Sequence, residues 1–283
     1  MLCKAPARNG ASRMKKYGER VSQPATQQSA KSAGGVASSA RQQASTAQRP
    51  FAVFDIDGTL VRWQLYHAIA DELVKLGYIN SRAFQSVKDA RMQWKKRSGP
   101  EAFQVYERKL VWAYEKMLLK LTFNQFQEAA ENVFKKYKDQ VYTYTRELIW
   151  KLKKDGYVLF AISNSQIEIV SRIADYYGFD DCIGTYYHHE GGRFTGAATI
   201  PLGAKHLVLA ELVKKHGLGY SQSLAVGDSS SDITILEAVE IPIAFNPERK
   251  LFEHAQNKGW KVVVERKNMI YELKAEDGRY ILA

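Results

Sequence analysis

Apolar and polar residues divide the chain into three stretches with different periods. Residues 1–49 hold almost no large apolar side chains and are rich in Ala, Ser, Gln and Arg. Such a segment cannot bury enough surface to offset the entropy of ordering it, so it reads as a disordered basic tail. Order begins at Pro50. Phe51-Ala52-Val53-Phe54 is an unbroken apolar run ending at Asp55, the pattern of a buried strand. From Trp63 to about Tyr144 the period changes to that of a helix, first through Tyr66, Ile69, Ala70, Leu73 and Leu76. Leu110, Trp112, Tyr114, Met117, Leu118 and Leu121 continue it. Gly77 and Ser98-Gly99-Pro100 are the main breaks, so 63–144 is expected to be all helical.

Beyond Tyr144 the chain alternates. A helix over 145–154 leads through Asp155-Gly156 to a strand over 157–162, and another helix follows over 167–177. The stretch 184–199 reads as a β-hairpin turning at Glu190-Gly191-Gly192. A helix over 204–216, a strand over 223–226 and a helix over 231–239 come next. Strands over 242–245 and 260–264 and a terminal hairpin around Glu276-Asp277-Gly278 complete the pattern. Strands alternating with helices predict an α/β fold: a Rossmann-like parallel sheet covered on both faces. The helical block interrupts it after the first strand. The expected organisation is a tail at 1–49, a catalytic core from 50–62 and 145–283, and an all-helical cap at 63–144.

Charge and cysteine content refine this. The chain has a formal net charge of +11. Residues 1–50 carry nine Lys/Arg against one acid, Glu19, leaving only +3 for the other 233 residues. The basic character therefore belongs to the tail, the one place from which nucleic acid or a membrane surface would be attracted. No apolar run approaches the ~20 residues of a membrane span, and the N-terminus lacks the apolar region of a secretory signal. Two cysteines, Cys3 and Cys182, are too few for a disulfide framework or a Cys-rich metal site. The expectation is a cytoplasmic protein.

Candidate chemistry lies at the ends of strands, where open α/β sheets gather their reactive groups. The first strand ends in Asp55-Ile56-Asp57-Gly58-Thr59, the second in Ser163-Asn164-Ser165, and the third in Gly227-Asp228-Ser229-Ser230-Ser231-Asp232. Lys205 opens the helix between the second and third. Side by side, these strands would bring three or four carboxylates together, and their repulsion calls for cations. Lys205 supplies one charge. A hard divalent ion would supply two more, and a set of oxygen donors without His or Cys suits Mg2+ better than Zn2+. One aspartate can attack phosphorus while another moves a proton. Backbone amides near Gly58 and the Ser163 hydroxyl could receive phosphoryl oxygens together with Lys205. His188-His189 would point to opposite faces of a strand, which disfavours a paired metal site. The run Arg91-Met92-Gln93-Trp94-Lys95-Lys96-Arg97 reads as a solvated basic helix, with contact to an anionic substrate as the alternative.

Asp55-Ile56-Asp57-Gly58-Thr59-Leu60 resembles the first motif of the haloacid-dehalogenase-like (HAD) superfamily. Ser163 resembles its second, Lys205 its third, and Gly227-Asp228-Ser229-Ser230-Ser231-Asp232 its fourth. The resemblance runs in order over about 51–265. It implies Asp55 as nucleophile and metal ligand, Asp57 as general acid/base and carbonyl ligand, and Asp228 as the third ligand. Asp232 would support the metal's waters or Lys205, with Gly58, Thr59 and Asn164 near the phosphate. The hairpin Gly191-Gly192-Arg193-Phe194-Thr195-Gly196 resembles the phosphoserine-phosphatase-like branch. That enzyme uses a glutamate for the substrate amine where this chain has Gln64, which implies a different substrate. The expected activity is Mg2+-dependent hydrolysis of a small phosphorylated metabolite. The alternatives are a phosphotransferase or phosphomutase of the same superfamily, or a catalytically idle binding protein whose tail attracts nucleic acid.

Overall fold

A computed structural model describes residues 48–99, 101–276 and 279–283. The tail expected at 1–49 falls outside this range except for Gln48 and Arg49, and Asp277-Gly278 of the terminal turn also lie outside it. Gln48 Nε2 donates to Gly217 O at 3.2 Å and Arg49 Nε to Gly156 O at 3.0 Å.

Strand β1 (Phe51–Phe54) is buried along its whole length, as its unbroken apolar run requires in a sheet covered on both faces. Helices α1 (Leu65–Lys75), α2 (Gln85–Lys95), α3 (Ala102–Leu118) and α4 (Phe123–Tyr137) follow, then α5 (Thr143–Lys154). The alternating part comprises β2 (Val158–Gln166), α6 (Ile167–Tyr177), β3 (Asp181–Glu190), β4 (Arg193–Thr199), α7 (Lys205–Lys215) and β5 (Leu224–Gly227). It continues with α8 (Ile233–Leu236), β6 (Ile241–Phe245), α9 (Arg249–Lys258), β7 (Lys261–Arg266), β8 (Met269–Glu276) and β9 (Arg279–Leu282).

The strands form one sheet in the order β4-β3-β2-β1-β5-β6-β7-β8-β9. Strands β3, β2, β1, β5, β6 and β7 are parallel, while β4, β8 and β9 join antiparallel. The order reverses between β1 and β5, and such a switch point opens a crevice at the carboxyl ends of the two strands. Asp55 and Asp228 directly follow those two strands.

Three elements differ from the sequence expectation. Helix α9 was not anticipated, because only Leu251, Phe252 and Ala255 supply apolar positions in its ten residues. The helix expected over 231–239 is a 3-10 turn at Ser230–Asp232 followed by the four-residue α8, since the Asp232 side chain turns back to bond Ser229. Strand β2 runs on to Gln166 through a register shift after Ile162, so Ser163 and Ser165 sit within its irregular end.

The helical insert shares its apolar packing with the sheet. One continuous cluster joins Ile69, Leu73, Tyr114 and Phe126 of the insert to Phe54, Ala161 and Val226 of the strands. The two segments that connect the insert to the sheet lie against each other. Arg62 N donates to Gln140 O at 3.0 Å, Tyr142 N to Leu60 O at 2.9 Å, and Val61 bridges Val141. Glu265, at the end of β7, closes this crossing by accepting from Arg62 Nη2, from Thr143 N at 3.1 Å and from Tyr144 N at 2.9 Å.

Candidate active site

Strand β1 delivers Asp55 into the crevice and the Asp55 amide still bonds Val226 O of β5 at 3.0 Å. The chain then leaves the sheet in a tight turn. Gly58 has φ +78°, and a Cβ there would stand 2.1 Å from Asp228 Oδ2. Both the left-handed conformation and the close approach of a carboxylate thus demand glycine. A Cβ on Gly227 would lie 2.4 Å from that of Asp232, so this glycine lets the β5 loop fold tightly.

Lys205 is the centre of the cluster. It is 1% exposed, and its Nζ lies 2.7 Å from Asp55 Oδ1 and 2.6 Å from Asp232 Oδ1. Asp232 Oδ2 accepts from the Asp228 and Ser229 amides at 3.2 and 3.0 Å and from Ser229 Oγ at 3.0 Å. Asp232 therefore orders the loop and Lys205 together. Thr59 is buried, and its hydroxyl reaches Asp228 Oδ1 at 3.5 Å. The carboxylates of Asp55, Asp228 and Asp232 offer oxygens within 4.8 Å of one another.

Asp57 faces another way. Its Oδ1 accepts from the Leu65 amide at 2.6 Å and its Oδ2 from Ser163 Oγ at 3.0 Å. Ser163 is in turn fixed by the Ser165 amide, 3.0 Å from its Oγ. Asp57 is thus held by β2 on one side and by the first turn of α1 on the other. Asn164 is half-buried, and its carbonyl accepts from Thr185 Oγ1 at 2.5 Å.

Burial dominates the electrostatics. It pushes the Asp55 carboxyl up to about 7; Lys205 opposes the shift, while Asp232 and Asp57 add to it. Burial, then the charges of Asp55 and Asp232, holds Asp228 well above the carboxylate range. Burial also raises Asp57, against the hydrogen bonds from Leu65, Ser165 and Ser163. For Lys205 burial alone would lower the pKa, but Asp232 and Asp55 outweigh it and the ammonium is held above its ordinary value. One ammonium thus faces four carboxylates in a buried crevice, and burial is the main reason that Asp55, Asp57 and Asp228 are raised. A divalent cation on the Asp55–Asp228 side fits this all-oxygen donor set.

Of the nine residues singled out from the sequence, Asp55, Asp57, Gly58, Thr59, Asp228 and Asp232 lie in the turns after β1 and β5, Ser163 and Asn164 in the irregular end of β2, and Lys205 at the start of α7. Sequence reasoning named Ser165 at its strand end without giving it a role, and missed the Leu65 amide and Glu248. Glu248 Oε1 accepts from the Ser230 amide at 2.6 Å, and its own amide bonds Asp228 O at 2.8 Å. Asn246-Pro247-Glu248 follows β6, so the strand-end rule could have found it. His188 and His189 diverge as alternation requires: His188 meets Thr199 Oγ1 at 3.0 Å, while His189 stacks on Phe123. In the basic run at the end of α2 and just beyond it, Met92, Gln93, Lys95, Lys96 and Arg97 are exposed.

Comparison with known proteins gives the same frame. Residues 52–237 match the family described as haloacid dehalogenase-like hydrolase. A phosphoserine phosphatase of Archaeoglobus fulgidus is 29% identical over 109 residues, 38% of this chain and 32% of the relative. The chain spans 32% to 42% of the length of the first four curated relatives that it matches. A histidinol-phosphatase of Neisseria meningitidis is 24% identical over 222 residues, 75% of this chain and 97% of the relative. Among solved structures, a Bordetella pertussis protein of unknown function superposes with a TM-score of 0.62 at 22% identity, covering 76% of this chain and 98% of that one.

Proposed function

The chain belongs to the haloacid dehalogenase-like hydrolase family, and on that premise we propose that it is a Mg2+-dependent phosphatase of small phosphate monoesters. The observation that carries this reading is the buried ion triad Asp55–Lys205–Asp232 beside a separately held Asp57. Asp55 attacks phosphorus opposite the leaving group. The bond from Asp55 to phosphorus forms as the bond to the departing alkoxide breaks, and Asp57 gives the alkoxide its proton. A raised pKa suits an Asp57 that begins this step protonated. Asp57 then takes a proton from the water that attacks the phosphoaspartate, which releases inorganic phosphate and restores Asp55.

Lys205, the Ser163 hydroxyl and the amides near Gly58 and Thr59 stabilise the charge on the phosphoryl oxygens. Asn164 lies beside them. Asp55, Asp228 and the Asp57 carbonyl would hold the metal, with Asp232 anchoring the loop behind them. A bound Mg2+ supplies positive charge that polarises the phosphoryl group. The insert at 63–144 acts as the cap over the site. A small metabolite substrate accords with the cytoplasmic reading of the sequence. Phosphoserine and histidinol phosphate are the substrates that the relatives' names suggest. Gln64 stands where a phosphoserine phosphatase carries a glutamate for the amine, which favours another leaving group.

The test is phosphate release from a phosphomonoester panel with Mg2+ and with EDTA, using the full chain and Asp55→Asn. The expected result is turnover that chelation and the substitution both abolish. Activity unaffected by Asp55→Asn would remove the nucleophile assignment.

A further inference from the structure

Three successive amides of the loop after β5 are held by two carboxylates that reach it from different directions. The Asp228 and Ser229 amides donate to Asp232 Oδ2 at 3.2 and 3.0 Å, and the Ser230 amide donates to Glu248 Oε1 at 2.6 Å. Asp232 belongs to the same loop and is tied to Lys205. Glu248 comes from outside it, as the residue that precedes α9. Its own amide donates to the Asp228 carbonyl at 2.8 Å. Glu248 thus grips the loop twice, on the carbonyl of Asp228 and on the amide two residues later. That amide opens the 3-10 turn Ser230–Asp232, where the first donors have no partner within the turn.

The segment that carries Glu248 is itself fixed. Asn246 takes a left-handed conformation with φ +42°, which asparagine adopts more readily than most residues. Asn246 N donates to Val263 O at 2.8 Å, and its Oδ1 accepts from the Glu265 amide at 2.9 Å, so backbone and side chain are both pinned to β7. Pro247 follows, with its φ locked by the ring. Glu248 therefore acts on the loop from a backbone bound to the sheet.

Asp228 depends on such support. Among the described residues, the donor that meets its carboxylate is Thr59 Oγ1, at a long 3.5 Å. The place of this carboxylate is therefore set through its backbone, which Asp232 and Glu248 hold. A divalent cation reads that place strictly or loosely according to its size. Mg2+ demands nearly octahedral oxygens at about 2.0–2.1 Å, whereas Ca2+ tolerates longer and less regular contacts. A ligand whose backbone loosens is lost to Mg2+ before it is lost to Ca2+.

We propose that Glu248 is a positioning residue for the metal site, placing the Asp228 carboxylate for Mg2+ through the Ser230 amide. This rests on the phosphatase reading. The experiment titrates the metal-free full chain calorimetrically with Mg2+ and, separately, with Ca2+. It compares the wild type with Glu248→Ala, Glu248→Gln and Ser230→Pro, with a thermal melt of each in EDTA and the Mg2+ dependence of p-nitrophenyl phosphate hydrolysis. Glu248→Ala should weaken Mg2+ binding at least about tenfold. Its Ca2+ binding should weaken less than about threefold. Glu248→Gln keeps an acceptor for the Ser230 amide and should bind Mg2+ within about threefold of the wild type. Ser230→Pro removes the donor and leaves the Glu248 charge in place, so it should shift the Mg2+ to Ca2+ ratio as Glu248→Ala does. Saturating Mg2+ should restore most of the kcat of Glu248→Ala with KM for p-nitrophenyl phosphate unchanged.

Mg2+ affinity within about twofold of the wild type in Glu248→Ala would overturn the proposal. Equal losses of Mg2+ and Ca2+, or a Glu248→Gln as weak as Glu248→Ala, would make the effect one of charge and overturn it too. If Glu248→Ala does not fold, Ser230→Pro carries the comparison, and an unchanged ratio there overturns the proposal. If the wild type binds Mg2+ and hydrolyses p-nitrophenyl phosphate while the ratio stands still in the variants, only the role of Glu248 falls. If the wild type neither binds Mg2+ nor turns over, the phosphatase reading falls and takes the proposal with it.

Discussion

Glu265→Ala tests whether the crossing between insert and sheet is held from outside by one side chain. The Glu265 side chain is 2% exposed and comes from a strand 203 residues away from Arg62. Its carboxylate accepts from the first two amides of α5, Thr143 and Tyr144, which have no partner within the helix, and from Arg62. Arg62 itself is anchored by Val141 O at 2.9 Å and lies over the Tyr142 ring. A hydrogen bond from an amide to a carboxylate contributes about 1.5 kcal/mol at the low end of its range. The Arg62 side chain is 41% exposed, so that pair adds about 0.5 kcal/mol. Truncation should therefore cost about 3 kcal/mol, with Glu265→Gln losing roughly half of that by keeping an acceptor in place. The assay is denaturant unfolding of the full chain, with hydrogen exchange at the Thr143 and Tyr144 amides. A drop in melting temperature of about 6–10 °C should accompany it. A change below about 1 kcal/mol with unaltered exchange at those amides would refute the reasoning.

Other consequences follow from the crevice. Lys205→Met leaves Asp55 and Asp232 buried without their shared ammonium, which should cost about 3–5 kcal/mol in unfolding measurements and abolish phosphate release. Stability within about 1 kcal/mol of the wild type would contradict the triad. Gly58→Ala places a methyl group on the Asp228 carboxylate at a positive φ, so turnover should fall at least about tenfold. Unchanged kinetics would mean that the Asp228 position is not needed for reaction. Asp232→Asn keeps the size of the side chain but removes the charge shared with Lys205 and the three donors of its loop. It should lower both stability, by about 2 kcal/mol, and turnover, and a loss of only one would separate the two roles assigned to it.

Much of this site is legible in sequence because its residues fall at strand ends, and strands that are buried on both faces announce themselves as apolar runs. Asp55, Asp228 and Ser163 needed only that rule and a parallel sheet to be brought together. Lys205 needed more, since its burial becomes visible only when β1 and the β5 loop close around it. The groups that hold the insert are harder to see. Glu265 ends an ordinary-looking strand, and nothing in its local pattern tells that its partners lie at 62 and 143–144. Helix α9 was missed for a different reason: it rests on the sheet with few apolar residues, so its period is faint. Local periodicity thus located the strand-end chemistry, whereas the contacts by which Glu265 joins β7 to the insert's connecting segments stayed hidden.

The most direct test of the account is chemical trapping of the enzyme during turnover. The full chain is mixed with Mg2+ and a substrate from the panel, quenched in acid, and reduced with borohydride before peptide mass analysis. A phosphoaspartate would be converted to homoserine. The account predicts homoserine at position 55, dependent on substrate and absent in Asp57→Asn protein incubated without Mg2+. An unmodified Asp55 during steady turnover, or homoserine at another aspartate, would contradict it.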